Sequence, residues 1–220
     1  MCNPSGIDFG RRNLLREEIE GKSVIEVGAM DVNGTFRGIV SPLNPAKYVG
    51  IDIEEGPGVD MVCDATELIA KFGENSFDVV ISTEMLEHVN DWRDVVSNFK
   101  GILKPGGVML VTTRSKGFPH HAYPYDFWRF EIDDMKQIFS DMSVDVIEAD
   151  VPEEPGVFVK VRKNQNFTEN DLSQIKLYSM ITMRRTRDLN VINTNIAKSK
   201  MFITSFFGRA RNSIRYRSGV

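Results

Sequence analysis

A chain of 220 residues, 41% apolar and 26% charged, can bury one good core, and no apolar run approaches the ~20 residues that a bilayer-spanning helix needs. Two cysteines cannot build a disulfide framework, and the opening Met-Cys-Asn-Pro-Ser-Gly has neither the basic stretch nor the apolar core of a secretory leader, so a cytoplasmic chain is expected. The net charge of −4 is uneven: residues 1–163 carry 28 acidic against 17 basic side chains, and residues 164–220 carry 3 against 10.

Leu14, Leu15, Glu18 and Ile19 predict a short amphipathic helix ahead of the first strand, Val24-Ile-Glu-Val27, whose β-branched residues suit a buried parallel sheet. Residues 47–53 read as a second strand, 59–63 as a short third, 66–72 as a helix and 77–83 as an almost wholly apolar, central fourth strand. Asn90 or Asp91 can cap the next helix, along which Trp92, Val95, Val96, Phe99, Ile102 and Leu103 recur at helical spacing until Lys104-Pro-Gly-Gly107 stops it. Residues 108–113 form the fifth strand and 131–139 a helix. Residues 142–147 and 157–161 alternate in polarity and close the sheet as an antiparallel pair, because the linker between them is too short for a crossover helix. The fold class is therefore α/β: a doubly wound, mostly parallel, seven-stranded sheet with an antiparallel terminal hairpin. A domain over residues 1–163 is followed by a basic extension over 164–220, where Leu172, Ile175, Leu177, Tyr178 and Met180 suggest a helix. That extension would serve as lid, oligomer contact or surface contact, and the aromatics and arginines of 201–217 would suit an anionic membrane face.

The first strand runs into Glu26-Val-Gly28-Ala29-Met30-Asp31, and the loop closes on Gly34. A dinucleotide site would want a second glycine two residues after Gly28, so that the backbone could approach a pyrophosphate; it is missing, which favours a nucleoside ligand without phosphates. Asp52, followed by Ile53, ends the second strand, where an acid can accept two hydrogen bonds from ribose hydroxyls, and Asp64, followed by Ala65, ends the third, within reach of an adenine amino group. Each acid alone would pass for a solvated carboxylate or helix cap; three at successive strand ends make a pattern.

The ordered set Glu26-x-Gly28, Gly50-Ile-Asp52, Cys63-Asp64-Ala65, Phe77-Asp-Val-Val-Ile-Ser82, Leu86-Glu-His-Val89 and Leu103-Lys-Pro-Gly-Gly107 resembles the class I S-adenosylmethionine-dependent methyltransferases, and among them the type 11 group of small-molecule enzymes, over residues 10–163. The resemblance implies S-adenosylmethionine as cofactor and S-adenosylhomocysteine as product. Glu26, Gly28 and Ala29 would flank its methionine part, Asp52 and Ile53 its ribose, and Asp64 and Ala65 its adenine, with Thr83 and Met85 beside the sulfonium. The family's glycine loop is more compact than this one, which keeps only Gly34 behind Gly28.

The methyl acceptor should meet the loop after the fifth strand, Phe118-Pro-His-His-Ala-Tyr-Pro-Tyr-Asp-Phe-Trp-Arg-Phe130. Two readings stand side by side. In one, the aromatics wall an acceptor pocket, Arg129 meets an anionic or polar group, and His120 or His121 acts as base, with His88 bordering the site. In the other, the loop is a structural lid in which Arg129 pairs with Asp126. No metal site is expected, since His120 and His121 point apart and no Cys or His pair has zinc spacing. The function expected is methylation of a small-molecule or glycan-type acceptor, at oxygen, by a monomer or homodimer. An RNA-methylating or RNA-binding role for the basic tail is the first alternative, although no aromatic–basic stacking surface supports nucleic acid as a partner; a non-catalytic cofactor-binding protein is the second.

Overall fold

The computed structural model describes residues 3–121 and 125–189. The expectations for residues 201–217 therefore lie outside the described residues.

Seven strands form one sheet in the order β3-β2-β1-β4-β5-β8-β7: β1 (Ser23–Val27), β2 (Lys47–Asp52), β3 (Met61–Val62), β4 (Phe77–Thr83), β5 (Leu103–Arg114), β7 (Ser143–Ala149) and β8 (Gly156–Arg162). The first five are parallel, and β8 runs antiparallel between β5 and β7, as the short linker demanded. Both faces are covered, which explains the unbroken apolar runs. Ile25, Val27, Val80, Met109 and Val111 face one layer, packed by Trp92, Val95, Val96 and Phe99 of α5 (Trp92–Ile102) and by Met135 and Ile138 of α6 (Ile132–Ile138). Val24, Val79, Ile81 and Leu110 face the other, against Phe9, Ile19, Phe36 and Val40. Those four come from α1 (Pro4–Asn13), α2 (Arg16–Ile19) and α3 (Arg37–Val40) with the residue that precedes it, while α4 (Leu68–Phe72) covers the first face near β3.

Three elements differ from the sequence expectation. α1 was not anticipated: Gly6 and Gly10 weaken its propensity, and it forms because Asn3 caps Gly6 N–H at 2.8 Å, Pro4 starts the first turn, and Phe9 is fully buried. The Lys104-Pro-Gly-Gly107 stop is absorbed into β5 as a bulge: Phe77 pairs with Leu103, but Val79 pairs with Val108. A bulge spares Pro105 a ladder bond it cannot make. Finally, the helix expected around 172–180 is instead β9 (Leu177–Ser179), which pairs with β6 (Trp128–Arg129) and with β10 (Arg184–Thr186) in a second, three-stranded sheet. Leu177 and Ser179 are buried and Tyr178 is not, the alternation of a strand, and Leu172, Ile175 and Leu177 join the main core. Tertiary pairing with Trp128 and Arg129 overrides the local helical spacing.

Among the described residues, no helix is long and apolar enough to cross a membrane.

Gly50 lies where β2 meets the loops from β1 and β3. A Cβ there would sit 2.4 Å from the Gly58 carbonyl oxygen and 2.9 Å from Ala29 Cβ. Gly50→Ala should therefore cost about 1–3 kcal/mol, read as a lowered urea midpoint with an unchanged slope.

Candidate active site

At the carboxyl end of β1 the chain turns at Gly28, whose φ is +82°. A Cβ at this position would overlap Met85 Cβ and Cγ at 2.9 and 2.8 Å, so the loop after β1 and the turn after β4 meet only because residue 28 lacks a side chain. The loop then folds over the end of β2: the Gly28 and Ala29 N–H groups donate to the Ile51 carbonyl at 2.9 Å, Met30 N–H donates to Asp52 Oδ2 at 3.0 Å, and Gly34 N–H donates to Asp31 Oδ1 at 2.9 Å. The longer loop is thus a defined structure pinned to the acid at the end of β2.

Glu26 is buried beneath this loop. It accepts hydrogen bonds from the Tyr48 hydroxyl, the Phe36 N–H at 3.3 Å and the Thr35 hydroxyl at 3.4 Å, which ties β1, β2 and the entry to α3 together. Burial pushes its carboxyl upward, and the Tyr48 and Phe36 hydrogen bonds only partly offset this. Asp52, half-buried, also accepts from its neighbour Ile53 N–H at 2.8 Å. Each carboxylate oxygen keeps a second lone pair for a ligand. Asp64 is exposed and caps the turn Ala65–Glu67, accepting from Thr66 N–H and Oγ1 at 2.8 and 2.7 Å. Thr83 is buried at the end of β4, and Met85 is half-buried above Gly28. Gly28, Ala29, Gly34, Asp52, Ile53, Asp64, Ala65, Thr83 and Met85 all belong to the carboxyl ends of β1 to β4 or to the loops that leave them.

The turn after β4, Leu86–His88, and the loop after β5 bring a second group together. The side chain of Glu87 is fully buried; its Oε2 accepts from Thr113 Oγ1 at 2.7 Å, and its Oε1 faces His88 Nε2 and His121 Nε2, each 3.8 Å away. The His88 and His121 rings pack edge-to-face with centroids 4.7 Å apart. His88 Nδ1 lies 2.5 Å from the Tyr125 carbonyl oxygen, which can only accept, so Nδ1 carries the proton and Nε2 presents a lone pair when the ring is neutral. His121 Nδ1 stands 3.3 Å from Asp126 Oδ2. His120 is the exposed member of the adjacent pair.

Arg129 does not reach toward an acceptor. It is fully buried, its guanidinium forks onto Asp126 at 2.5 and 2.8 Å, and it also donates to the carbonyls of Trp128 and Pro119 at 2.8 and 3.1 Å. The lid reading describes these two residues; the His121 ring lies beside them, packed on His88 and Phe118. Burial would raise the Asp126 carboxyl, but hydrogen bonds from Arg129 and His121 outweigh it and hold the group well below the usual carboxylate range. Glu87 was not singled out in the sequence. The dipeptide Glu87-His88 just past a central strand was the available signal.

Glu84, at φ +51° directly after β4, accepts from Thr112 Oγ1 at 3.0 Å and pairs with Arg114, whose guanidinium covers the Phe118 ring at 4.0 Å. Burial, and then the charge of Glu87, push its carboxyl up to about 8.

Replacing Asp126 by Asn strands a buried guanidinium and should cost about 3–5 kcal/mol in urea unfolding at pH 7. Because the Asp126 carboxyl is depressed in the folded state, its contribution is complete above the ordinary carboxylate pKa of ~4 and drains as pH falls below it; Asp126→Asn should lose that increment of acid sensitivity.

Residues 25–111 match the family model described as a methyltransferase domain. Among curated proteins, a ubiquinone biosynthesis O-methyltransferase of Chromobacterium violaceum is 32% identical over 127 residues, 52% of each chain, and one of Parvibaculum lavamentivorans is 36% identical over 70 residues, 32% of this chain and 27% of the relative. The chain thus spans about half or less of the length of these relatives. Among solved structures, an S-adenosylmethionine-dependent methyltransferase from Mesorhizobium loti aligns with a TM-score of 0.55 at 17% identity, over 73% of this chain and 99% of that one. The 1,6-didemethyltoxoflavin-N1-methyltransferase of Burkholderia thailandensis aligns with a TM-score of 0.60 at 14% identity, over 74% and 80%. Residues 25–111 thus match a methyltransferase domain, and the chain, with its glycine turn and acids at successive strand ends, has the fold of the class I S-adenosylmethionine-dependent methyltransferases.

Proposed function

We propose that this protein transfers the methyl group of S-adenosylmethionine to a hydroxyl oxygen of a small-molecule or glycan-type acceptor. The observation that carries the acceptor side is the convergence of His88, His121 and the buried Glu87 where β4 and β5 end. On the cofactor side, Asp52 would hold the ribose, Asp64 and Ala65 the adenine, and Gly28 with Met85 would border the methionine part. The bound sulfonium supplies an already electrophilic methyl group, so the protein's task is alignment, exclusion of water and management of one proton. A hydroxyl is a weak nucleophile until that proton leaves. Asp126, kept anionic by Arg129, sits at His121 Nδ1; this favours the tautomer whose Nε2 lone pair can take the proton as the new carbon–oxygen bond forms. The O-methyltransferase names of the curated relatives agree with an oxygen acceptor.

Calorimetric titration with S-adenosylhomocysteine tests the cofactor half. Asp52→Ala should weaken binding at least ~10-fold, because hydrogen bonds to a charged partner contribute about 1.5–3 kcal/mol each. NAD should not bind. For the acceptor half, methyl transfer from labelled donor to a panel of hydroxylated aromatics and sugars should identify a turnover that His121→Ala lowers by about 10²–10⁴-fold. Full turnover by that variant across the pH range would overturn the oxygen assignment.

A further inference from the structure

No Cys or His pair has zinc spacing in the sequence, but the fold brings candidate ligands together from two separate segments. We propose that Glu87, His88 and His121 form a binding site for a divalent transition-metal ion of the zinc type. One ligand atom from each of the three residues lies within 4.8 Å of the other two, and Glu87 Oε1 stands 3.8 Å from both His88 Nε2 and His121 Nε2. Metal–nitrogen and metal–oxygen bonds of ~2.0–2.2 Å in a tetrahedron put ligand atoms about 3.3–3.5 Å apart, so the 3.8 Å separations from Glu87 need to close by only a few tenths of an ångström.

Three independent features point to a ligand. First, Glu87 Oε1 and His88 Nε2 are buried polar atoms with no hydrogen-bond partner among the described residues, which is costly unless something binds them. Second, each donor residue is held from behind: the Tyr125 carbonyl takes His88 Nδ1, Thr113 Oγ1 donates to Glu87 Oε2, and Asp126 accepts the His121 backbone N–H at 2.9 Å and stands 3.3 Å from its Nδ1. A carbonyl or carboxylate behind each histidine is the outer shell that metal-bound imidazoles use. Third, the charge is suitable: the Glu87 carboxylate, with Asp126 Oδ2 3.3 Å behind His121, faces two imidazoles. Two nitrogen donors select Zn²⁺, Co²⁺ or a similar ion over Mg²⁺ or Ca²⁺, which prefer oxygen.

Three protein ligands leave one position open. On the proposed O-methylation reading, that position would take the acceptor hydroxyl. The metal–oxygen bond would lower the hydroxyl's pKa, its proton would leave to solvent, and the oxygen's remaining lone pair would attack the methyl group. With the ion bound, the imidazoles are ligands and the metal replaces His121 as the group that ionises the acceptor.

The test uses the full chain, stripped with a chelator and titrated with Co²⁺, whose visible absorption reports nitrogen and oxygen ligands in a low-coordinate site, followed by displacement with Zn²⁺. The expected result is one ion per chain. Glu87→Gln, His88→Ala and His121→Ala should each lose more than 100-fold in affinity, and Thr113→Val, which touches no donor atom directly, should lose 10–100-fold. S-adenosylhomocysteine binding, retained in every variant, certifies the fold. No uptake by the wild-type chain, or uptake equal in His121→Ala and Glu87→Gln, would overturn the site. Specific uptake combined with methyl transfer that is indifferent to chelation would leave the site standing and remove its catalytic role, while loss of S-adenosylhomocysteine binding by the wild-type chain would strike the methyltransferase reading alone.

Discussion

A guanidinium sealed away from solvent governs the loop after β5. Arg129 could be buried only because Asp126 meets it with both carboxylate oxygens and the loop turns the Trp128 and Pro119 carbonyls inward to its two terminal nitrogens. Once that pair is fixed, much else follows. The Asp126 carboxylate also receives the backbone N–H of His121 at 2.9 Å, which sets where the His121 ring lies, and the ring then packs on His88 and Phe118. The charge of Arg129 is therefore used for construction.

The cofactor side obeys a different constraint. Parallel strands all end on one edge of the sheet, so acids placed at those ends share a crevice however far apart they are in sequence. Glu26 shows the division of tasks: it is too buried to act as a free carboxylate, and it serves by clamping β1, β2 and the entry to α3, while Asp52 and Asp64 remain nearer the surface. Gly28 and Met85 connect the two halves, since the contact between them brings the turn that carries Glu87 and His88 against the glycine loop.

Much of this was legible in the residues. The parallel strands announced themselves as β-branched runs, and α5 through its helical spacing and its stop, because burial on both sheet faces or on one helix face leaves a periodic trace. What was not legible depended on partners distant in sequence. β9 looked helical until β6 claimed its backbone, and α1 forms through a cap and a buried phenylalanine despite weak propensity. The pairing of Asp126 with Arg129 could be framed only as one of two alternatives, since a three-residue spacing suits a local pair as well as a pocket. The meeting of His88 with His121 left no local trace at all, because an entire strand and a loop intervene.

The second, smaller sheet carries a further meaning. Phe127 donates its N–H to the Glu87 carbonyl at 2.8 Å and accepts at its own carbonyl from Met180 N–H at 2.9 Å, so one residue is stitched on one side to the turn after β4 and on the other to the chain just past β9. The chain just past β9 is thereby tied, through a single residue, to the turn that carries Glu87 and His88. A substitution within residues 177–186 can therefore displace Glu87 and His88 without touching the glycine loop, because the second sheet reaches that turn through Phe127 and not through the ends of β1 to β3.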